Sequence, residues 1–167
     1  RSDLGTIDRL EVELRSHRPA LLRKQAVLFG AVYLLRNDPV ASERFFSEFM
    51  NARDVDKPGW LWFDYAFSLV LLKRPSEAVP WLRKAAAMDD AVLVLLSAYF
   101  LGTVGAAALR DATERESAMA FSEEMRAMLC KRFKPERMGR EIESARNEVH
   151  VVILSKLVDD ASSWLAI

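Results

Sequence analysis

The sequence predicts an all-α fold, a single domain over residues 1–167 of stacked antiparallel helical hairpins with about seven to nine helices. Three observations carry that prediction. Apolar residues recur at spacings of three and four, and hardly any segment alternates at period two. Pro39, Pro58, Pro75 and Pro135 each stand where such a pattern begins. The first turn of a helix leaves its N–H groups unpartnered, so proline costs nothing there. Finally, LLRNDPVASERFFSEFM (Leu34–Met50) and LLKRPSEAVPWLRKAAAM (Leu71–Met88) read alike, and their offset of about 36 to 37 residues suits hairpins that bury their apolar faces on one another.

Taken in order, helices are expected over about 4–17, 20–36, 39–52, 59–73, 75–88, 90–103, 114–133 and 135–158, followed by a short terminal turn. The N-terminal stretch RSDLGTIDRLEVELRS lacks the basic-then-apolar pattern of a signal segment, which points to a cytoplasmic setting. Asp38 is a good N-cap for the helix that opens at Pro39. GWLWFDYAFSLVLL (Gly59–Leu72) is apolar on nearly every face and carries one charge, Asp64. Asp64 and Ser68, one turn apart, are expected to mark its wet edge. Thr113 followed by Glu116 matches a capping box. The last two helices are amphipathic. Phe121, Met125, Met128, Leu129 and Phe133 form one apolar stripe, and Met138, Ile142, Ala145, Val149, Val152 and Leu157 form the other.

Composition narrows the function classes. Lys plus Arg (24) balances Asp plus Glu (24), and no basic stripe with interleaved aromatics favours nucleic acid. The lone Cys130 cannot form an internal disulfide, and its apolar neighbours predict a buried, inert thiol. His17 and His150 lack the close pairing of structural zinc ligands. DVDKPG (Asp54–Gly59) begins like a calcium loop but puts Pro58 at the fifth position and Tyr65 at the twelfth, where oxygen ligands are needed. Asp89–Asp90 and Asp159–Asp160 read as helix-end acids rather than acid/base couples, because adjacent helical side chains point apart. No nucleophile elbow, phosphate loop or dinucleotide fingerprint is present, and GTVG (Gly102–Gly105) is too short and follows no strand. The expectation is therefore no catalytic residue, no metal and no cofactor. Ala91–Leu109 is an uncharged run of 19 residues, long enough to cross a bilayer. Its two glycines and flanking acids favour a helix buried inside the protein, with membrane association as the weaker alternative.

The second hairpin, WFDYAFSLVLLKRPSEAVPWLRKAAAMDD, resembles a tetratricopeptide repeat. Trp62, Tyr65 and Leu69 fall on large positions and Ala66 on the small one. Ala78, Leu82 and Ala85 match the small–large–small series of the second helix, and Asp90 stands where the family closes with proline. Hairpins are placed at about 20–52 and 59–90. The first matches less closely, with Phe29, Gly30, Tyr33, Ser42 and Phe46 in corresponding places and one extra residue in its turn. A partial third unit starts near Ala91.

In such repeats the first helices line a groove in which partner segments dock. The resemblance implies groove positions at Trp60, Phe63, Phe67, Val70 and Leu71, at Lys24, Val27, Ala31 and Leu34, and at Val94 and Leu101. Only Lys24 could hold a charged terminus, so capture of a carboxylate end is disfavoured. The implied function is a non-enzymatic adaptor that binds a peptide or amphipathic helix of another protein. An accessory or regulatory helical domain of a larger, enzymatic protein is the alternative. Either the helix at 135–158 covers the groove or a partner does.

Overall fold

The computed structural model describes residues 4–145 and 155–165. Every regular element there is helical. Helices α1 (Leu4–His17), α2 (Pro19–Lys24), α3 (Ala26–Leu35) and α4 (Pro39–Ser47) are followed by α5 (Pro58–Leu71) and α6 (Pro75–Ala86). The helix α7 (Ala91–Phe100) continues through a π-helical turn, Leu101–Gly105, into Ala106–Ala108. Then come α8 (Ala112–Arg132), α9 (Pro135–Ala145) and α10 (Ser155–Leu165).

All four expected prolines open helices. The caps are partly as expected. Asp38 accepts from the Ala41 N–H at 2.9 Å, whereas α8 is capped by Asp111, whose Oδ1 accepts from the Glu114 N–H at 2.7 Å. The Thr113–Glu116 capping box is not the one used, because the cap of α8, Asp111, lies two residues before it. The helix expected over 20–36 is two helices separated at Gln25. The one expected to end at residue 52 stops at Ser47 and continues as turns. Of the helix expected over 135–158, α9 supplies the first part. Val149, His150 and Val152 lie outside the described residues, and the expected terminal turn is the full helix α10.

The likeness between the segments Leu34–Met50 and Leu71–Met88 has a local physical basis. At the end of α3, Asn37 adopts a left-handed φ of 55°. Its N–H bonds the Leu34 carbonyl at 2.9 Å, and the Asp38 N–H bonds the Tyr33 carbonyl at 3.0 Å. At the end of α5, Lys73 has φ 63°, and the corresponding bonds run from Lys73 to Val70 (3.0 Å) and from Arg74 to Leu69 (2.9 Å). Both are Schellman caps, which satisfy two orphan carbonyls and reverse the chain. Each is followed at once by the proline that opens the next helix. The two turns have the same length, so the extra residue expected in the first is not there, and the offset is uniform. Connections this short force α3/α4 and α5/α6 to be antiparallel pairs.

Within each hairpin a small residue lets the helices approach. A Cβ built on Gly30 would fall within 3 Å of three atoms of the Phe46 ring, which is fully buried. The second hairpin fills the equivalent places with Ala66 and Leu82, also buried. One pair is smallest plus largest and the other is intermediate plus intermediate, so each fills a similar volume.

The uncharged helix α7 is the centre of the molecule. It packs against α5, α6, α8, α9 and α10, and 67% of its 18-residue apolar window is buried. This ring of neighbours accounts for an apolar surface on all sides of one helix. Where α8 crosses it, a Cβ on Gly102 would overlap the Ser122 side chain, and the Ser122 hydroxyl donates to the Ala98 carbonyl at 2.6 Å. The π turn thus sits where a close helix crossing is needed.

The α8 stripe is realised at Met125, Leu129 and Phe133, which are buried, but Met128 is exposed. Cys130 is exposed as well, contrary to the inert interior thiol expected, because it lies past the edge of that stripe. Met138, Ile142 and Ala145 of α9 are buried as the periodicity predicts.

Candidate partner-binding surface

The implied groove positions lie mostly inside the protein. Trp60, Phe63, Val70, Val27, Ala31, Leu34, Val94 and Leu101 are buried, Phe67 is half-buried, and only Lys24 and Leu71 are exposed. The physical reason is that α5 and α7 use this face against each other. The Phe100 ring meets Phe63 edge-on at 6.0 Å and Phe67 at 5.2 Å. These geometries add modest specific attraction to a large burial of apolar area.

Across a cleft from the start of α5 stands α9. Trp60 lines a cleft of about 280 Å³ with Asp89, Asp90 and Val92 on one side and Arg137, Glu141, Ser144 and Ala145 of α9 on the other. The Trp60 indole N–H donates to Asp90 Oδ2 at 3.0 Å, while Asp90 Oδ1 caps α7 by accepting from the Leu93 N–H at 3.0 Å. Arg132 pairs with Asp89 at 2.8 Å. Asp89 and Asp90 therefore act at a helix end, as the sequence suggests, one as a cap and one as an ion-pair partner.

The part of this face left in solvent is at the other end of the first helices. Leu35 on α3 is 50% exposed, Leu71 on α5 is 44% exposed, and Val104 in the π turn after α7 is 44% exposed. Leu35 and Leu71 occupy the same place in the two repeated corners. At the corner between α5 and α6 opens a cleft of about 540 Å³ lined by Lys73, Arg74, Pro75, Ser76, Glu77, Ala108 and Arg110. Arg74 is engaged by Glu77 at 2.7 Å and Glu43 at 3.2 Å. The same bond from Arg74 holds the Glu77 carboxyl below its usual range. Ser76 is tied to Glu114 at 2.8 Å. Lys73 and Arg110 have no ion-pair partner among the described residues. The cleft therefore holds two cations, Lys73 and Arg110, that make no ion pair among the described residues.

One polar residue behaves opposite to the sequence reading. Asp64 and Ser68, expected at a wet edge, are 2% and 0% exposed. Asp64 has a buried Oδ2 with no hydrogen-bond partner, and burial pushes its carboxyl well above the usual carboxylate range. The available signal was that the neighbours of Asp64 within α5, Ser68 apart, are apolar or aromatic.

Among the described residues no group of three or more His, Cys, Asp or Glu side chains is placed to hold a metal ion. His17 is exposed, and His150 lies outside those residues.

The fold is that of an all-α protein organised around one central apolar helix. The family model described as an uncharacterised Treponema protein matches residues 6–166, and the chain belongs to that family. No curated protein and no solved structure matches it.

Proposed function

We propose that this chain is a non-catalytic, tetratricopeptide-like protein-binding module whose partner is an amphipathic helix with acidic residues beside its apolar stripe. The observation that carries the reading is the exposure of Leu35 and Leu71 at the C-terminal ends of α3 and α5, together with that of Val104 in the π turn after α7. Large apolar side chains left in solvent favour a partner over water. Lys73 and Arg110, in the cleft that opens after α5, supply the charge complementarity that selects an acidic flank. The repeated Schellman corners, 36 residues apart in sequence, support the likeness to hairpin repeats. The interior set, including Phe63 and Val94, holds the first helices together rather than touching the partner.

The test is a quantitative affinity capture with Leu35→Glu/Leu71→Glu and with Lys73→Glu/Arg110→Glu, each checked by circular dichroism. Both variants should keep the helical spectrum and lose the same captured protein. Retention of that protein at wild-type levels by both would overturn the reading.

A further inference from the structure

The first two hairpins meet along a seam that contains an ionisable group with no neutralising partner among the described residues. On the α5 face turned toward α4, the Ser68 and Ser42 hydroxyls lie 3.0 Å apart. Ser68 donates to the Asp64 carbonyl at 2.9 Å and Ser42 to the Gly30 carbonyl at 3.2 Å. Ser42, Asp64 and Ser68 are all buried. The Asp64 side chain projects one turn from Ser68, on the same face of the helix.

The elements packed against α5 bring no cation to it. Within α3 (Ala26–Leu35) there is no charged residue. On α4, Glu43 is paired with Arg74, and Arg44 is exposed. At the end of α4, Glu48 is paired with Arg15. On α6, Glu77 is paired with Arg74, Arg83 lies over the Phe121 ring, and Lys84 lies over Trp62 and Trp81. Within α7 (Ala91–Phe100) there is again no charge, and its cap Asp90 is occupied by Trp60 and the Leu93 N–H. Burial alone acts on the carboxyl, and in the direction that keeps it protonated. An unpaired carboxylate at such a site would neutralise itself or force water in.

We propose that Asp64 is a proton-dependent latch: as a neutral acid it lets α5 pack against α3 and α4, and its ionisation loosens that seam. The sign follows from linkage. The folded chain holds the Asp64 proton to higher pH than the unfolded chain does. Stability therefore falls as pH rises above the ordinary carboxylate range and levels off once the folded-state group has ionised.

The experiment is urea unfolding of the wild type and Asp64→Asn from pH 4 to pH 9, with amide hydrogen exchange read helix by helix. The folding constant of D64N relative to wild type should rise about tenfold per pH unit across the window. Exchange in α3, α4 and α5, corrected for its intrinsic pH dependence, should quicken in the wild type and not in D64N, while α8 stays protected in both. A constant ratio across the range would overturn the proposal, and so would exchange that quickens equally in every helix. If D64N fails to fold, the carboxyl is read in the wild type by carbon NMR. A neutral Asp64 carboxyl at pH 7 supports the latch, and an ionised one overturns it.

Discussion

Replacing Gly30 with Ala is a sharp test of the first hairpin because two opposing terms are of known sign. Alanine in place of glycine inside a helix is worth about 1 kcal/mol in the folded state's favour. Against this, the added methyl would overlap three atoms of the Phe46 ring. Phe46 cannot simply swing away, since it is fully buried and its ring packs against Phe45 with centroids 6.3 Å apart. Overpacking of this kind costs about 1–3 kcal/mol, so G30A should be net destabilising by up to about 2 kcal/mol. Urea unfolding followed by circular dichroism would then show a midpoint lowered by about 0.5–1 M.

The second hairpin supplies a rescue. It holds Ala66 and Leu82 in the places of Gly30 and Phe46, so Gly30→Ala with Phe46→Leu rebuilds a pair the fold already uses. Phe46→Leu alone leaves a void and should cost about 1–3 kcal/mol. The double variant should be more stable than the sum of the singles by at least about 0.5 kcal/mol. A stabilised G30A, or strictly additive singles, would refute the close packing at this crossing.

Further outcomes follow from the same geometry. Phe63→Glu should unfold the chain, because its ring is fully buried, while Leu71→Glu should shift stability by no more than about 0.5 kcal/mol; thermal unfolding of the two variants separates them. Asp90→Ala removes both the α7 cap and the acceptor of the Trp60 indole, and should cost about 1–3 kcal/mol by urea unfolding. Cys130, exposed on α8, should react with a thiol reagent in the native protein as fast as in urea, within a few-fold. Helix α1 is held against the body partly through the exposed pairs Arg36–Asp8 (2.8 Å) and Arg15–Glu48 (2.6 Å). Its amide exchange should therefore quicken in 1 M salt more than that of α5.

Much of the architecture is legible in the sequence for reasons local to each element. Proline at the first helical turn, Asp38 as a cap and the three-to-four spacing of α8 and α9 all act within a few residues, so they can be read without knowing the fold. The left-handed residues Asn37 and Lys73 are less visible. Asn is tolerated there, but a lysine at φ 63° is dictated by the Schellman turn and not by its own preference. The implied groove was misleading because its exposure depends on which distant helix returns to it. Phe100 of α7 and the α9 side chains that flank Trp60 decide that, and nothing within Gly59–Leu72 encodes it. Asp64 failed for the opposite reason. A lone charge in an apolar run normally marks the solvent side, but α5 is packed against α3, α4, α6 and α7.

The central position of α7 also sets what a shortened chain would do. A protein ending between Ala108 and Ala112 would keep the whole of the 18-residue apolar segment, of mean hydropathy 2.0. It would lose α8, α9 and α10, three of the five helices that wrap it. To a ribosome-bound sorting factor or a chaperone, that exposed rod has the length and greasiness of a bilayer-crossing helix. The charged C-terminal third therefore does more than complete the core, because it gives the chain's most apolar segment an interior to hide in.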